Sequence, residues 1–168
     1  MIRFSGQSGK RGGDGSSWEE RMVHSIMIGK KIDEIQVGDT AEFTKTISES
    51  DVYLYAGVTG DLNPAHVNEE YANKTFFETR IAHGMLSAGF ISTVFGTKFP
   101  GPGTIYLRQV IDFLAPVHIS DTITAKVEVL AKDTEKNRVT FKTVCVNQEG
   151  EEVLVGEAVI SPPKVVKE

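Results

Sequence analysis

The stretch GDLNPAHVNEE, residues 60–70, sets Asp61 and His66 five positions apart with Pro64 between them. A carboxylate and an imidazole can take a proton from one water molecule and return it, the work of a general base and acid. Each also has a plainer reading, Asp61 as an Asx-turn residue ahead of Asn63-Pro64 and His66 as a loop imidazole facing solvent. A second stretch, RIAHGML at 80–86, places a His-Gly pair at the start of HGMLSAGFISTVF, whose apolar residues fall on every side. The first N–H groups of a helix have no intrahelical partner and carry the positive end of the macrodipole. At Gly84, where no side chain crowds the approach, they could receive a carbonyl oxygen gaining negative charge. The plainer readings are a tight helix–sheet contact for Gly84 and a cap or core imidazole for His83.

Helices and strands must hold these groups. DTAEFTKTIS (39–48), rich in Thr with Phe43 and Ile47 on one face, predicts a strand. SESDVYLYAGVTG then shifts to helical spacing, with Ser48 or Ser50 as cap, and delivers Gly60-Asp61 to a loop. Pro64 presses Asn63 toward an extended conformation, so one regular helix should not carry both Asp61 and His66. NEEYANKTFF reads as a second short helix capped by Asn68. The segment 83–95, apolar all round, predicts a helix buried on all sides.

After PGPG (100–103) the pattern is β to the end. TIYLRQVIDFLAPV alternates with Ile105, Leu107, Ile111 and Phe113 on one side. DTITAKVEVLAK puts Ile123, Ala125, Val127 and Val129 opposite polar neighbours, and NRVTFKTVCVN groups Val139, Phe141, Thr143 and Cys145. With EEVLVGEAVIS the last three strands form an antiparallel meander. The sum is an α+β hot-dog fold, an antiparallel sheet wrapped around a long central apolar helix. Its unpaired edges predict a homodimer, open to higher assembly.

The 168 residues suit one domain, 27–168, preceded by a Gly/Ser-rich stretch (1–26) read as a disordered arm or leader. A formal charge of −5 disfavours nucleic acid, and no apolar run approaches the roughly 18 residues of a membrane helix. Cys145 is the only cysteine, so no intrachain disulfide forms and the cytosol is the expected compartment. His24, His66, His83 and His118 show no metal-ligand spacing, and no metal is expected. Cys145 reads as a small core hydrophobe and His118 as a surface residue. Phe76-Phe77 and Tyr53-Tyr55 read as packing, with an acyl tunnel as the alternative. Arg80, Lys98 and Arg108 are the cations that could meet phosphates.

DLNPAHVNEEYANKTFFETRIAHGMLSAGFIS followed by GPGTIYLRQVIDFLAPVHISDTI resembles the MaoC-like family and its (R)-specific enoyl-CoA hydratases, over about 130 residues from Ile28 to Ser161. The D-x-N-P-x-H and R-I-A-H-G-M elements together carry the resemblance. It implies hydration of trans-2-enoyl thioesters to (R)-3-hydroxyacyl thioesters, or the reverse. Asp61 and His66 would hold and activate the water, and the Gly84 N–H would receive the thioester oxygen. Asn63 would position the pair and Ser92, nine positions after His83, would support the site. No cofactor is implied beyond the coenzyme A of the substrate, with acyl carrier protein as the other carrier. The alternatives are a hot-dog acyl-CoA thioesterase and a non-catalytic acyl-thioester-binding protein.

Overall fold

A computed structural model describes residues 28–164, so the expectations for residues 1–26 lie outside the described part. Five strands form one antiparallel sheet in the order β1-β3-β4-β5-β2. They are β1 (Thr40–Thr46), β2 (Ile105–Phe113), β3 (Thr122–Asp133), β4 (Arg138–Val146) and β5 (Glu152–Ser161). Between β1 and β2 run α1 (Glu49–Thr59), two single turns, α2 (Pro64–Val67) and α3 (Glu69–Ala72), and α4 (Gly84–Thr93), which continues as a π turn over Val94–Lys98. The helix α4 packs on β1, β3 and β4. The layout is the expected hot-dog.

The meander follows the alternation read from the sequence. Ile123, Ala125, Val127 and Val129 on β3, and Val139, Phe141 and Cys145 on β4, are buried, as is Thr143 between them. With Phe90, Ile91, Val94 and Phe95 from the helical layer they form one core. Phe95 and Phe141 meet edge to face with centroids 4.9 Å apart, a favoured aromatic geometry.

β2 departs from the expected alternation. Its register against β5 shifts between Tyr106 and Arg108, and this irregularity breaks the period-two pattern that grouped Ile105 and Leu107 with Ile111 and Phe113. Ile105, Leu107, Val110 and Phe113 are all exposed on this edge strand, and Ile111 packs against the core. α4 also departs from expectation. Ser87, Ala88, Phe90 and Ile91 are buried, whereas Met85, Gly89 and Ser92 are exposed, so within one chain the helix is covered on one side only.

The segment between β1 and α4 is built to present the site. Ser48 caps α1 reciprocally: Asp51 N–H donates to Ser48 Oγ at 3.2 Å, and Ser48 N–H donates to Asp51 Oδ2 at 2.8 Å. Lys45 also pairs with Asp51, and the Lys45 hydrogen bond is the main reason the Asp51 carboxyl is held down to about 2. At the other end Gly60 takes the left-handed conformation (φ 80°) with its N–H on Ala56 O, which ends the helix and turns the chain into Asp61. Asn63 Oδ1 accepts from Ala65 N–H at 3.1 Å and Pro64 opens α2, so His66 rides on a single capped turn instead of the loop expected from the sequence. Asn68 caps α3 as expected.

Arg80 then binds the parts together. Its guanidinium donates to Glu69 Oε2 (3.0 Å), Tyr53 Oη (2.9 Å) and Glu49 Oε1 (2.6 Å), joining α1, α3 and the entry to α4. Ala82 N–H donates to Val117 O at 2.7 Å, which ties the residue before the His-Gly pair to the segment leading into β3.

Candidate active site

Asp61, His66 and Gly84 come together where α1, α2 and α4 meet. Asp61, His66 and His83 each offer a nitrogen or oxygen atom, and these atoms all lie within 4.8 Å of one another. Two groups that each hydrogen-bond one water at about 2.8 Å, near the tetrahedral angle, stand roughly 4.6 Å apart, a separation this limit allows.

The ring of His66 is fixed by its environment. Its Nδ1 lies 2.9 Å from Ile81 O, and a carbonyl only accepts, so Nδ1 carries a proton and Nε2 is the nitrogen left to face a ligand. His83 is 2% exposed, and its Nε2 lies 3.0 Å from Asp61 O, so by the same argument Nε2 is its donor. The two imidazoles overlap with centroids 3.9 Å apart and planes inclined by 33°, and Tyr55 lies 4.8 Å from His83 on the same measure.

Three potential ligands this close raise the question of a metal. Two of the four imidazole nitrogens, His83 Nε2 and His66 Nδ1, are committed as donors to backbone carbonyls and cannot also ligate an ion.

Two cavities meet at the pair. One, about 290 Å³, is lined by Tyr55, Thr59, Asp61, His66, His83, Gly84, Met85 and Phe113. The other, about 340 Å³, takes in Phe76, Phe77, Ile81, Ser87, Leu114, Pro116, Val117 and Leu154 and is mainly apolar. His66, Gly84 and Phe113 line both. The pocket holding Asp61 and His66 thus adjoins a more strongly apolar one, with the start of α4 at their shared wall.

As the first residue of α4, Gly84 has no intrahelical acceptor for its N–H. A Cβ here would lie 2.7 Å from Cε1 of Phe113, so nothing larger than glycine fits while that ring stays in place. The helix–sheet contact and the open N–H therefore coexist at Gly84.

The other candidates fall as follows. Asn63 caps α2 and its N–H donates to Asp61 Oδ1 at 3.3 Å, so it contacts both halves of the pair's loop. Ser92 is exposed and lines neither cavity; the buried serine of α4 is Ser87, roughly 140° around the helix from Ser92. Ser87 Oγ is buried in the apolar chamber without a hydrogen-bond partner. Arg80 is engaged by Glu49, Glu69 and Tyr53 and is not available to a ligand phosphate, whereas Lys98 and Arg108 are exposed. Cys145 is fully buried, its thiol donates to Ser87 O at 3.6 Å, and burial pushes it up to about 12, as befits a core hydrophobe. The side chain of His118 is 42% exposed, close to the surface position expected.

His83 stands at the N-cap position of α4 and is buried, in line with the cap and core readings, but its side chain makes no capping bond and its partner, Asp61 O, stands 22 positions away. Nothing in local spacing announces such a contact. The strand alternation groups Phe113 with Ile105, Leu107 and Ile111, and its place over Gly84 is equally tertiary.

Sheet, central helix and site together define a hot-dog fold with a polar pair at the helix start. The family model described as MaoC like domain matches residues 33–151. The chain is 56% identical over 131 residues to an (R)-specific enoyl-CoA hydratase of Rhodospirillum rubrum, covering 78% of this chain and 90% of that one. It is 45% identical over 133 residues to a 3-hydroxybutyryl-CoA dehydratase of Methylorubrum extorquens, covering 79% and 83%. Among solved structures, the unliganded R-hydratase PhaJ1 of Pseudomonas aeruginosa superposes with a TM-score of 0.77 at 45% identity, covering 83% of this chain and 92% of that one. The chain belongs to the MaoC-like dehydratase family.

Proposed function

We propose that the protein is a lyase that adds water to trans-2-enoyl-CoA to give (R)-3-hydroxyacyl-CoA, or removes it in reverse. The observation that carries this reading is that Asp61 and His66 each offer an atom within 4.8 Å of the other in a pocket that Gly84 also lines. The close relatives named as hydratase and dehydratase support it.

In the hydration direction, His66 Nε2 and the Asp61 carboxylate hold the water through its two hydrogens. One of them accepts a proton as the water oxygen attacks the β-carbon. The π electrons move onto the thioester oxygen, where the Gly84 N–H and the helix dipole stabilise the enolate. The proton then passes to the α-carbon and the pair returns to its starting state. No redox step occurs, and the atoms balance with coenzyme A as part of the substrate and no other cofactor. The acyl chain occupies the apolar chamber, with acyl carrier protein as the alternative carrier of the same thioester.

A homodimer belongs to the same proposal. Ile105, Leu107, Val110, Phe113 and Leu114 expose a run of apolar surface on and beside the edge strand β2. Met85, Gly89 and Ser92 form the uncovered stripe of α4. A second copy laid on these faces would bury both, and Ser92 would then face the partner. A cytosolic setting is part of this reading and fits the single reduced thiol.

Crotonyl-CoA tests the reaction. Loss of enoyl absorbance with formation of the (R)-3-hydroxy product supports the hydratase. Release of free thiol without hydration would instead make the protein a thioesterase, and tight acyl-CoA binding without turnover would make it a binding protein. Light scattering tests the assembly, and a monodisperse monomer at micromolar concentration would contradict it.

A further inference from the structure

The catalytic aspartate stands on a loop with little else to hold it. Asp61 is exposed, and it follows a left-handed glycine. The backbone bonds around it are local: Gly60 N–H to Ala56 O, Asp61 N–H to Thr59 Oγ1, Leu62 N–H to Gly60 O and Asn63 N–H to Asp61 Oδ1. Among the described residues, one hydrogen bond ties residues 60–62 to a distant part of the chain, and it runs from His83 Nε2 to Asp61 O. The same imidazole overlaps His66, contacts Tyr55 of α1 and directly precedes Gly84. One side chain therefore touches the carrier of the acid, the base and the start of the oxyanion-binding helix.

The unused nitrogen argues that this is more than packing. His83 Nδ1 is buried and has no partner. An unpaired buried polar atom carries a desolvation cost that an apolar side chain of similar shape would avoid. For filling space, leucine would serve at least as well.

We infer that His83 is a positioning residue for the hydration proposed above: as the Nε2–H tautomer it fixes the Asp61 carbonyl and stacks on His66, setting the span between acid, base and the Gly84 N–H. It exchanges no proton with substrate. The inference rests on the hydratase reading for its kinetic consequence, whereas its structural content stands apart from any activity.

The test compares His83→Leu, His83→Gln and the native protein. A misplacement of about 1 Å at a reacting group can cost on the order of 100-fold in rate. His83→Leu should therefore lower kcat for crotonyl-CoA by about 10- to 100-fold with KM changed less than about threefold. Its melting temperature should stay within a few degrees, since an unpaired nitrogen is lost along with the bond. His83→Gln, whose amide can still donate to the Asp61 carbonyl, should recover most of kcat. In nitrogen-15 spectra the backbone amides of residues 60–63 should move in His83→Leu and return toward native in His83→Gln.

An unchanged kcat, a KM rise matching the kcat loss, or a glutamine variant no better than leucine would overturn the inference. Should the native protein prove inactive on enoyl-CoA, the hydratase reading fails and the amide resonances alone decide the positioning role. Should His83→Leu fail to fold, the ring nitrogens of native His83 decide it, because a proton on Nδ1 instead of Nε2 would be incompatible with the bond to Asp61.

Discussion

Replacing Gly84 with alanine tests the tightest point of the site. The added methyl carbon would stand 2.7 Å from Phe113 Cε1, 2.9 Å from Cδ1 and 3.2 Å from Cζ, against the roughly 3.5–4.0 Å at which carbon atoms rest. The atoms met belong to a side chain and not to backbone, so the ring can shift at moderate cost. An overpacked contact of this kind costs about 1–3 kcal/mol, and the lower half of that range is expected because the obstacle is movable. Phe113 lines both pockets, so its displacement also reshapes the wall they share. Gly84→Ala should thus lose about 1–2 kcal/mol in urea unfolding and about 10- to 100-fold in kcat/KM on crotonyl-CoA, although the N–H remains. Phe113→Ala removes the obstacle. If the ring is the cause, the double variant should be more stable than the sum of the two single losses by about 1 kcal/mol or more. A Gly84→Ala protein of native stability and activity, or strictly additive losses in the double variant, would refute the reasoning.

Two further outcomes concern the frame. A Cβ on Gly156 would lie 2.0 Å from the backbone oxygen of Val110, which cannot move without disturbing the pairing of β2 with β5. Gly156→Ala should therefore cost at least about 3 kcal/mol or release β2, read by denaturant unfolding and amide exchange on residues 105–113. The Asp51 carboxyl is held down to about 2, below the 3.8 of an unfolded aspartate, so its contribution is fully present above about pH 4 and is lost as pH falls through 2. Asp51→Ala should lower stability by about 1–2 kcal/mol at pH 7, and the gap from the native protein should close between pH 4 and pH 2. A gap independent of pH would place the loss elsewhere.

What the sequence reveals here depends on whether a feature is local. β3 and β4 are legible because each has one wet and one buried face, and period two survives along most of their length. The caps Ser48 and Asn68 act within three residues of themselves, and both stand where the pattern puts them. β2 was misread because one irregularity inverts the phase of all that follows. The burial of α4 was overread, since an all-apolar composition does not say whether one chain or two covers the helix. In the site, Asp61, His66 and Gly84 are legible by type and spacing, and the fold brings them together at one junction. His83 and Phe113 act through contacts 22 and 29 positions away in the chain, which no local pattern encodes.

The central claim is that one water is activated between Asp61 and His66. The direct measurement is steady-state hydration of crotonyl-CoA by Asp61→Asn and His66→Gln, each verified as folded by circular dichroism. Both substitutions keep size and hydrogen-bonding capacity while removing the base, so kcat should fall by about 100-fold or more in each, with the double variant little worse than the lower single one. Retention of kcat within a few-fold in either variant would contradict the account.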